Sequence, residues 1–403
     1  MSRPMLLLRN IGRLFTSRQD GVLERMAVAC EADRISWLGP DADIPTTFAG
    51  AEEVDCGGAL VTPGLVDAHT HPLYAGDRLA EIAARSEGAT YLEIAELGGG
   101  IASTVRATRA AEESALAEAA ADRLSTWLDC GATTVEAKTG YHLDEGGETA
   151  AVRILAGLAS SRRTDAGTLP RIEVTFLGAH AVGPEWAGDR AGYAHEVARW
   201  CAGAAEAGAR HCDVFCDEGY FSVEETRAIL AAGSEAGLLP RLHADELART
   251  GGARLAADIG AASADHLLRI DEGDARALAA AGVVATLAPT TALSMGHPPP
   301  ARALLDAGAT IALGTDHNPG TCGTTSMSLI VGLAVTSLGL SVSEALLGAT
   351  SGGAAALRLP DRGRVAPGLL ADLAVWEADH EGGFAWGFGL RPACVILGGV
   401  RVR

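Results

Sequence analysis

Two histidines separated by one residue, His69 and His71, close the run Val61-Thr62-Pro63-Gly64-Leu65-Val66-Asp67-Ala68-His69-Thr70-His71. Side chains alternate faces along a strand, so both imidazoles point to the same side. Two imidazoles converging at a strand end can bind a borderline metal such as zinc or iron. Three later stretches end in similar chemistry: His243-Ala244-Asp245-Glu246, Ala264-Asp265-His266 and Thr315-Asp316-His317-Asn318-Pro319-Gly320. His69, His71, His243 and Asp316 together make a mixed N/O donor set for one ion. Such an ion would bring the pKa of a bound water toward neutrality. Glu246, three residues past His243, suits a base that takes the water's proton and later delivers it to a leaving nitrogen. His266 suits holding the hydroxide or polarising a carbonyl, and Asp316 is placed to share proton handling with Glu246.

Each residue alone has a plainer reading. A strand histidine is commonly a hydrogen-bonded core residue, Asp316 could cap a helix, and Glu246 could be a solvated loop residue. Joint placement on successive elements decides for the metal site. Candidate strands are Leu65–His69, Thr133–Ala137, Arg171–Gly178, Cys212–Cys216, Pro240–Asp245, Ser263–His266, Val283–Leu287 and Thr310–Asp316. Alanine-rich helical stretches separate most of them, such as Glu112–Cys130 and Val223–Ala236, the latter opened by a Ser222/Glu225 capping box. Eight strand–helix units in this span predict a (β/α)8 TIM-type barrel, in which reacting groups sit at the C-terminal strand ends. Short β pieces at Met5–Leu8, Met26–Cys30 and Arg34–Leu38, with Asp372–Trp376 and Cys394–Val402, predict a small discontinuous β-sandwich domain built from both termini. The boundaries expected are 1–58, 59–358 and 359–403. His142, His195, His211, His297 and His380 fit no site pattern and read as surface or loop residues.

The chain of 403 residues carries a formal charge of −19, which argues against nucleic acid and anionic membrane as partners. No apolar run reaches membrane-spanning length. The 8 cysteines are scattered with no C-x-x-C pair, as expected for reduced thiols in a cytoplasmic protein. Lys138 is the only lysine among 32 basic residues.

The stretches PGLVDAHTH, HADE, SADH, GTDHNPG and GRVAPGLLADLAVW resemble the amidohydrolase superfamily. Longer blocks are similar to the imidazolonepropionase family: GATYLEIAELGGGIASTVRATR (88–109), TTVEAKTGYHLD (133–144), LGAHAVGPE (177–185), CDVFCDEGYFS (212–222) and TDHNPGT (315–321). The resemblance covers almost the whole chain. It implies hydrolysis of the ring of 4-imidazolone-5-propanoate to N-formimidoyl-L-glutamate. It implies one zinc or iron ion per chain, divalent or trivalent, on His69, His71, His243 and Asp316. Glu246, His266 and Asp316 would be catalytic. Arg78 would bind the substrate carboxylate, its fork matching that group bidentately. Tyr141, His180 and Glu246 match ring-binding positions, Asn318, Gly320 and Thr321 match a substrate-contacting loop, and Tyr91 falls near the pocket. Homodimers are common among such relatives. This chain departs from the family pattern at His317, where a Phe is usual, at His142, where a Gly is usual, and within the loop Gly320–Thr325.

Three other readings compete. A deaminase of a nitrogen heterocycle shares the metal motifs, but the set Arg78, Tyr141 and His180 speaks for an anionic substrate. A two-metal cyclic amidase needs a bridging lysine on the fourth strand, which here ends Phe215-Cys216-Asp217-Glu218. Lys138 falls on the second strand and is expected to pair with a carboxylate near the site. A silent barrel acting as a binding module would have no use for a full ligand set with Glu246.

Overall fold

The computed structural model describes residues 5–17, 21–89, 98–165 and 167–403, so Tyr91 lies outside the described residues. Eight parallel strands follow one another in chain order: Leu65–Asp67, Ala132–Lys138, Arg171–Ala179, His211–Cys216, Leu239–Ala244, Ser263–His266, Val284–Leu287 and Ile311–Leu313. They are called the first to eighth barrel strands below. Ala68 N donates to Leu313 O at 3.2 Å, Asp316 N to His69 O at 2.9 Å and His71 N to His317 O at 2.8 Å. These bonds close the eighth strand onto the first, so the segments bearing candidate ligands are themselves the seam of a (β/α)8 barrel.

The strands are apolar because helices cover their outer face and side chains fill the inner one. Every residue of the second and fourth strands is buried. Helices stand close to their expected bounds, at Glu113–Asp129 and Val223–Glu235. The capping box is present: Glu225 N donates to Ser222 Oγ at 3.2 Å and Ser222 N to Glu225 Oε2 at 2.8 Å.

The first and eighth strands stop earlier than the sequence pattern suggests. Asp67 turns inward, and its carboxylate accepts from Trp127 Nε1 at 2.7 Å, Thr315 N at 2.9 Å and Thr315 Oγ1 at 2.6 Å. Asp316 adopts φ 50°, which no ladder accommodates. His69, His71 and Asp316 therefore sit on the turns that follow the strands.

Strands from both termini form a second sheet: Met5–Phe15, Val22–Glu31, Arg34–Pro40, Glu52–Asp55, Leu60–Pro63, Leu373–Trp376, Pro392–Leu397 and Val400–Arg401. Hydrogen bonds link all of them, and one face of each part meets in a shared core of Leu8, Ile11, Val28, Val61, Leu373 and Ile396. Leu60–Pro63 pairs with Arg13–Leu14 and with Leu373–Val375, which carries this sheet past residue 58. The expected single strand Cys394–Val402 is a hairpin, turned at Gly398 (φ 59°) and Gly399 (φ 72°). Arg171, at the base of the third barrel strand, reaches Asp372 with two hydrogen bonds of 2.7 and 3.1 Å and ties the two sheets together.

Candidate active site

At the C-terminal end of the barrel the side chains of His69, His71, His243, His266 and Asp316 converge, all buried. The ring centroids of His69 and His243 are 4.5 Å apart, and those of His69 and His71 5.3 Å. Asp316 Oδ1 lies 3.6 Å from His69 Nε2 and 3.6 Å from His71 Nε2. Two donor groups overlap at His69: one of His69, His71 and Asp316, the other of His69, His243 and His266, each with ligand atoms within 4.8 Å of one another. His266, which the sequence marks for catalysis alone, thus stands among the donors as well.

The donor chemistry fits a metal ion. His69 Nδ1 lies 2.7 Å from Asp265 Oδ2, and His243 Nδ1 lies 3.1 Å from Asp213 Oδ1. A carboxylate at Nδ1 fixes the proton there and leaves the Nε2 lone pair pointing inward. His69 Nε2 is buried with no hydrogen-bond partner, a costly state that a metal would relieve. Burial also pushes the pKa of His69 and of His71 well below the ordinary value, keeping both neutral as ligands must be.

The backbone is built around this cluster. A side chain at Gly314 would place its Cβ 2.7 Å from His69 Cβ, so only glycine lets the eighth strand approach. Asp245, His266 and Asp316, at the ends of strands five, six and eight, have φ of 51°, 74° and 50°. Such left-handed residues persist where their surroundings over-determine them. Asp245 is held by accepting from Thr250 N at 2.7 Å, Gly251 N at 2.9 Å and Ala253 N at 2.8 Å, at the start of the helix Gly252–Ile259. Asp217 accepts from Glu246 N at 2.7 Å and Leu247 N at 2.9 Å, which sets the direction of Glu246.

Glu246 Oε2 lies 3.8 Å from His266 Nε2. Burial, then the charges of Asp316 and Asp217, raise the Glu246 pKa well above the usual carboxylate range. Burial pushes Asp316 up to about 6 and His266 down to about 3. A carboxylate that holds its proton more strongly than usual, beside an uncharged imidazole, is suited to take up and return a proton.

Arg78, Tyr141, His180, Asn318 and Thr321 line one cavity with Glu246, His71, His243, His266 and Asp316. Arg78 is only 6% exposed. Its Nε is 2.9 Å from Glu81 Oε2, and its guanidinium lies against Gly320, where an added Cβ would come within 2.4 Å of Cζ. Arg78 thus pairs with Glu81 and also lines the cavity. His180 Nδ1 is 3.1 Å from Gly140 O, and its ring stacks on His71 at 5.1 Å. Glu148 fixes the Tyr141 turn by accepting from Gly140 N at 2.9 Å and His142 N at 2.8 Å.

Some residues carry no sequence signal of their role. Phe215 and Tyr220 stack at 3.9 Å and wall the cavity. Their spacing of five across a loop marks nothing in advance. Asp213 and Asp265 are carboxylates buried inside the fourth and sixth strands, where a charge is costly unless paired. His142 and His211, read as surface or loop residues, are both buried, His142 within a loop. His211 starts the fourth strand rather than preceding it, and His142 packs over Gly147. His317 is also buried, with Nε2 3.3 Å from the Tyr74 hydroxyl and its ring edge-on to Trp127 at 5.1 Å, an aromatic setting. The fourth strand carries no lysine, and Lys138 pairs with Glu136 at 2.7 Å and Asp213 at 2.6 Å, as expected. Among the described residues no helix is long and apolar enough to cross a membrane.

Comparison with known proteins adds three kinds of likeness. The amidohydrolase family profile matches residues 219–402. Proteins named imidazolonepropionase from Anaeromyxobacter dehalogenans and Paracoccus denitrificans are each 44% identical, over 98% and 94% of this chain and 96% and 94% of their own. The one from Streptomyces coelicolor is 43% identical over 94% of this chain and 91% of its own. Among solved structures, an adenosine deaminase from Xanthomonas campestris with bound zinc superposes with TM-score 0.73 at 20% identity, covering 100% of this chain and 93% of that one. An A. niger ochratoxinase gives TM-score 0.72 at 19% identity, covering 100% of this chain and 96% of that one. The structural likenesses share the fold alone.

Proposed function

The chain belongs to the imidazolonepropionase family of amidohydrolases, and from that premise we propose which of its residues carry the reaction. The enzyme hydrolyses the cyclic amide of 4-imidazolone-5-propanoate to N-formimidoyl-L-glutamate in histidine degradation. Water adds at the ring carbonyl carbon, the carbon–nitrogen bond breaks, and the nitrogen leaves with a proton.

His69, His71, His243 and Asp316 would hold one ion, zinc or iron, since imidazole and carboxylate suit both. When bound, that ion supplies Lewis acidity, polarising a carbonyl oxygen and making water acidic near neutral pH. Glu246 takes the proton of the attacking water and returns it to the departing ring nitrogen. His266, neutral through burial, donates a hydrogen bond to the carbonyl oxygen as charge builds there. Asp316 serves the proton transfers together with Glu246. Arg78 reads the propionate, Tyr141 and His180 orient the ring, and the loop of Asn318, Gly320 and Thr321 closes the far side.

The observation that supports this reading best is the shared cavity, lined by His71, His243, Asp316 and Glu246 and also by Arg78. A deaminase of a neutral ring would make no use of an arginine in the cavity wall, where a propionate can be bound bidentately. A cytoplasmic location and a homodimer belong to the same proposal, on the strength of the family's metabolic role, and sedimentation would test the dimer. Glu246→Gln tests the catalytic assignment. Gln is nearly isosteric but cannot accept the proton, so kcat should fall about 10²–10⁴-fold with metal content and fold unchanged. Turnover within a few-fold of wild type would move the base role to Asp316 or His266.

A further inference from the structure

Beneath the donor cluster the barrel interior holds five charged residues, Glu136, Lys138, Asp213, Arg241 and Asp265, all fully buried. Lys138 is the only lysine in the chain. Its Nζ lies 2.7 Å from Glu136 Oε1, 2.6 Å from Asp213 Oδ2 and 3.6 Å from Asp265 Oδ2. Each of these carboxylates also touches a separate part of the donor set. Asp213 Oδ1 accepts from His243 N at 3.1 Å and stands 3.1 Å from His243 Nδ1. Asp265 Oδ2 is 2.7 Å from His69 Nδ1. Glu136 Oε2 accepts from the backbone N of Thr70, between His69 and His71, at 3.3 Å. Arg241 braces the same group, with Nη2 3.0 Å from Asp265 Oδ2 and 2.7 Å from Ala68 O.

An ammonium is a compact charge with three donors, and here three carboxylates surround it. Three negative charges against two positive ones leave one negative charge behind neutral imidazoles, which strengthens them as ligands. Take the ammonium away and the carboxylates repel one another in a buried setting, where repulsion is weakly screened. The rings they hold are then free to turn.

We propose that Lys138 is a positioning residue that aims the metal-binding histidines, acting on His243 through Asp213, on His69 through Asp265 and on the His69–His71 turn through Glu136. The inference rests on the metal-site reading above.

The test compares wild type with Lys138→Met, which keeps the length of the side chain and loses its charge. Metal-free protein is titrated with zinc against a competing chelator, and the cobalt-substituted form is followed by its visible spectrum. The expected result is zinc affinity about 10–100-fold below wild type, with an altered cobalt spectrum. Unchanged affinity and spectrum, even with a lower Tm, would overturn the proposal and leave Lys138 a purely structural residue. If Lys138→Met does not fold, wild type labelled with ¹⁵N-lysine gives a single side-chain ammonium signal. That signal should move when zinc is added, and an identical signal with and without zinc would overturn the proposal. Absence of zinc binding by wild type would instead overturn the metal-site reading beneath it.

Discussion

Arg78→Ala is expected to weaken the enzyme for its own substrate far more than for an analogue without the propionate. Arg78 is 6% exposed, and its Nε edge faces Glu81 Oε2 at 2.9 Å. Glu81 is in turn held by Gly100 N at 2.8 Å, so it orients the guanidinium rather than trailing it. Truncating one partner of a buried, hydrogen-bonded charge pair costs about 2–5 kcal/mol. Glu81 already offsets part of the guanidinium charge, so the lower half of that range applies, about 2–3 kcal/mol. This corresponds to a fall of roughly 30- to 150-fold in kcat/KM. The propionate does not react, so its contact stabilises ground and transition states alike, and the loss should fall on KM with kcat little changed. Steady-state ring opening is measured for wild type and variant, on the substrate and on the tail-less analogue, with metal content checked in each. The variant should lose less than about tenfold on the analogue. An equal loss on both compounds would refute the assignment, since Arg78 would then support the site without reading the carboxylate.

Gly320→Ala should raise KM in the same way with metal content unchanged, because its Cβ would press within 2.4 Å of Arg78 Cζ. Steady-state kinetics on the same two compounds read this. Stripping the metal should lower Tm, and at 100 times its Kd the restored ion should add about 2.7 kcal/mol; one equivalent per chain is expected by elemental analysis. Asp274 has a lowered pKa: burial pushes it up, but hydrogen bonds from Arg249, the Asp271 backbone and Arg254 outweigh that. A lowered carboxylate contributes stability above its unfolded value that is lost as pH falls through the folded one. Both arginines are half exposed, so after screening Asp274→Asn should cost about 1 kcal/mol at pH 7. Thermal unfolding should show the gap narrowing below about pH 3.9.

The barrel was legible because each strand is an apolar run between helical patterns of clear period, and buried parallel strands leave no other reading. His69, His71, His243 and Asp316 were legible because strand ends are where a barrel presents its chemistry. What supports them was not. Asp213 and Asp265 face inward in mid-strand and find their partners only when the barrel closes, since Lys138 and Asp213 are 75 residues apart. Asp217 and Glu148 act through backbone N–H groups, which leave no trace in side-chain patterning. His211 was misplaced because element boundaries depend on tertiary contacts rather than local preference. The early stop of the first and eighth strands has the same origin, in the inward turn of Asp67 and the left-handed Asp316.

The most direct test of the account follows both possible products from one reaction. Metal-loaded wild type is given 4-imidazolone-5-propanoate, and N-formimidoyl-L-glutamate and ammonia are measured together, before and after the metal is removed by chelation. The account predicts N-formimidoyl-L-glutamate in step with substrate loss, no matching ammonia, and activity that disappears with the metal and returns on its replacement. Ammonia released in step with substrate loss, or ring opening that survives complete removal of the metal, would contradict it.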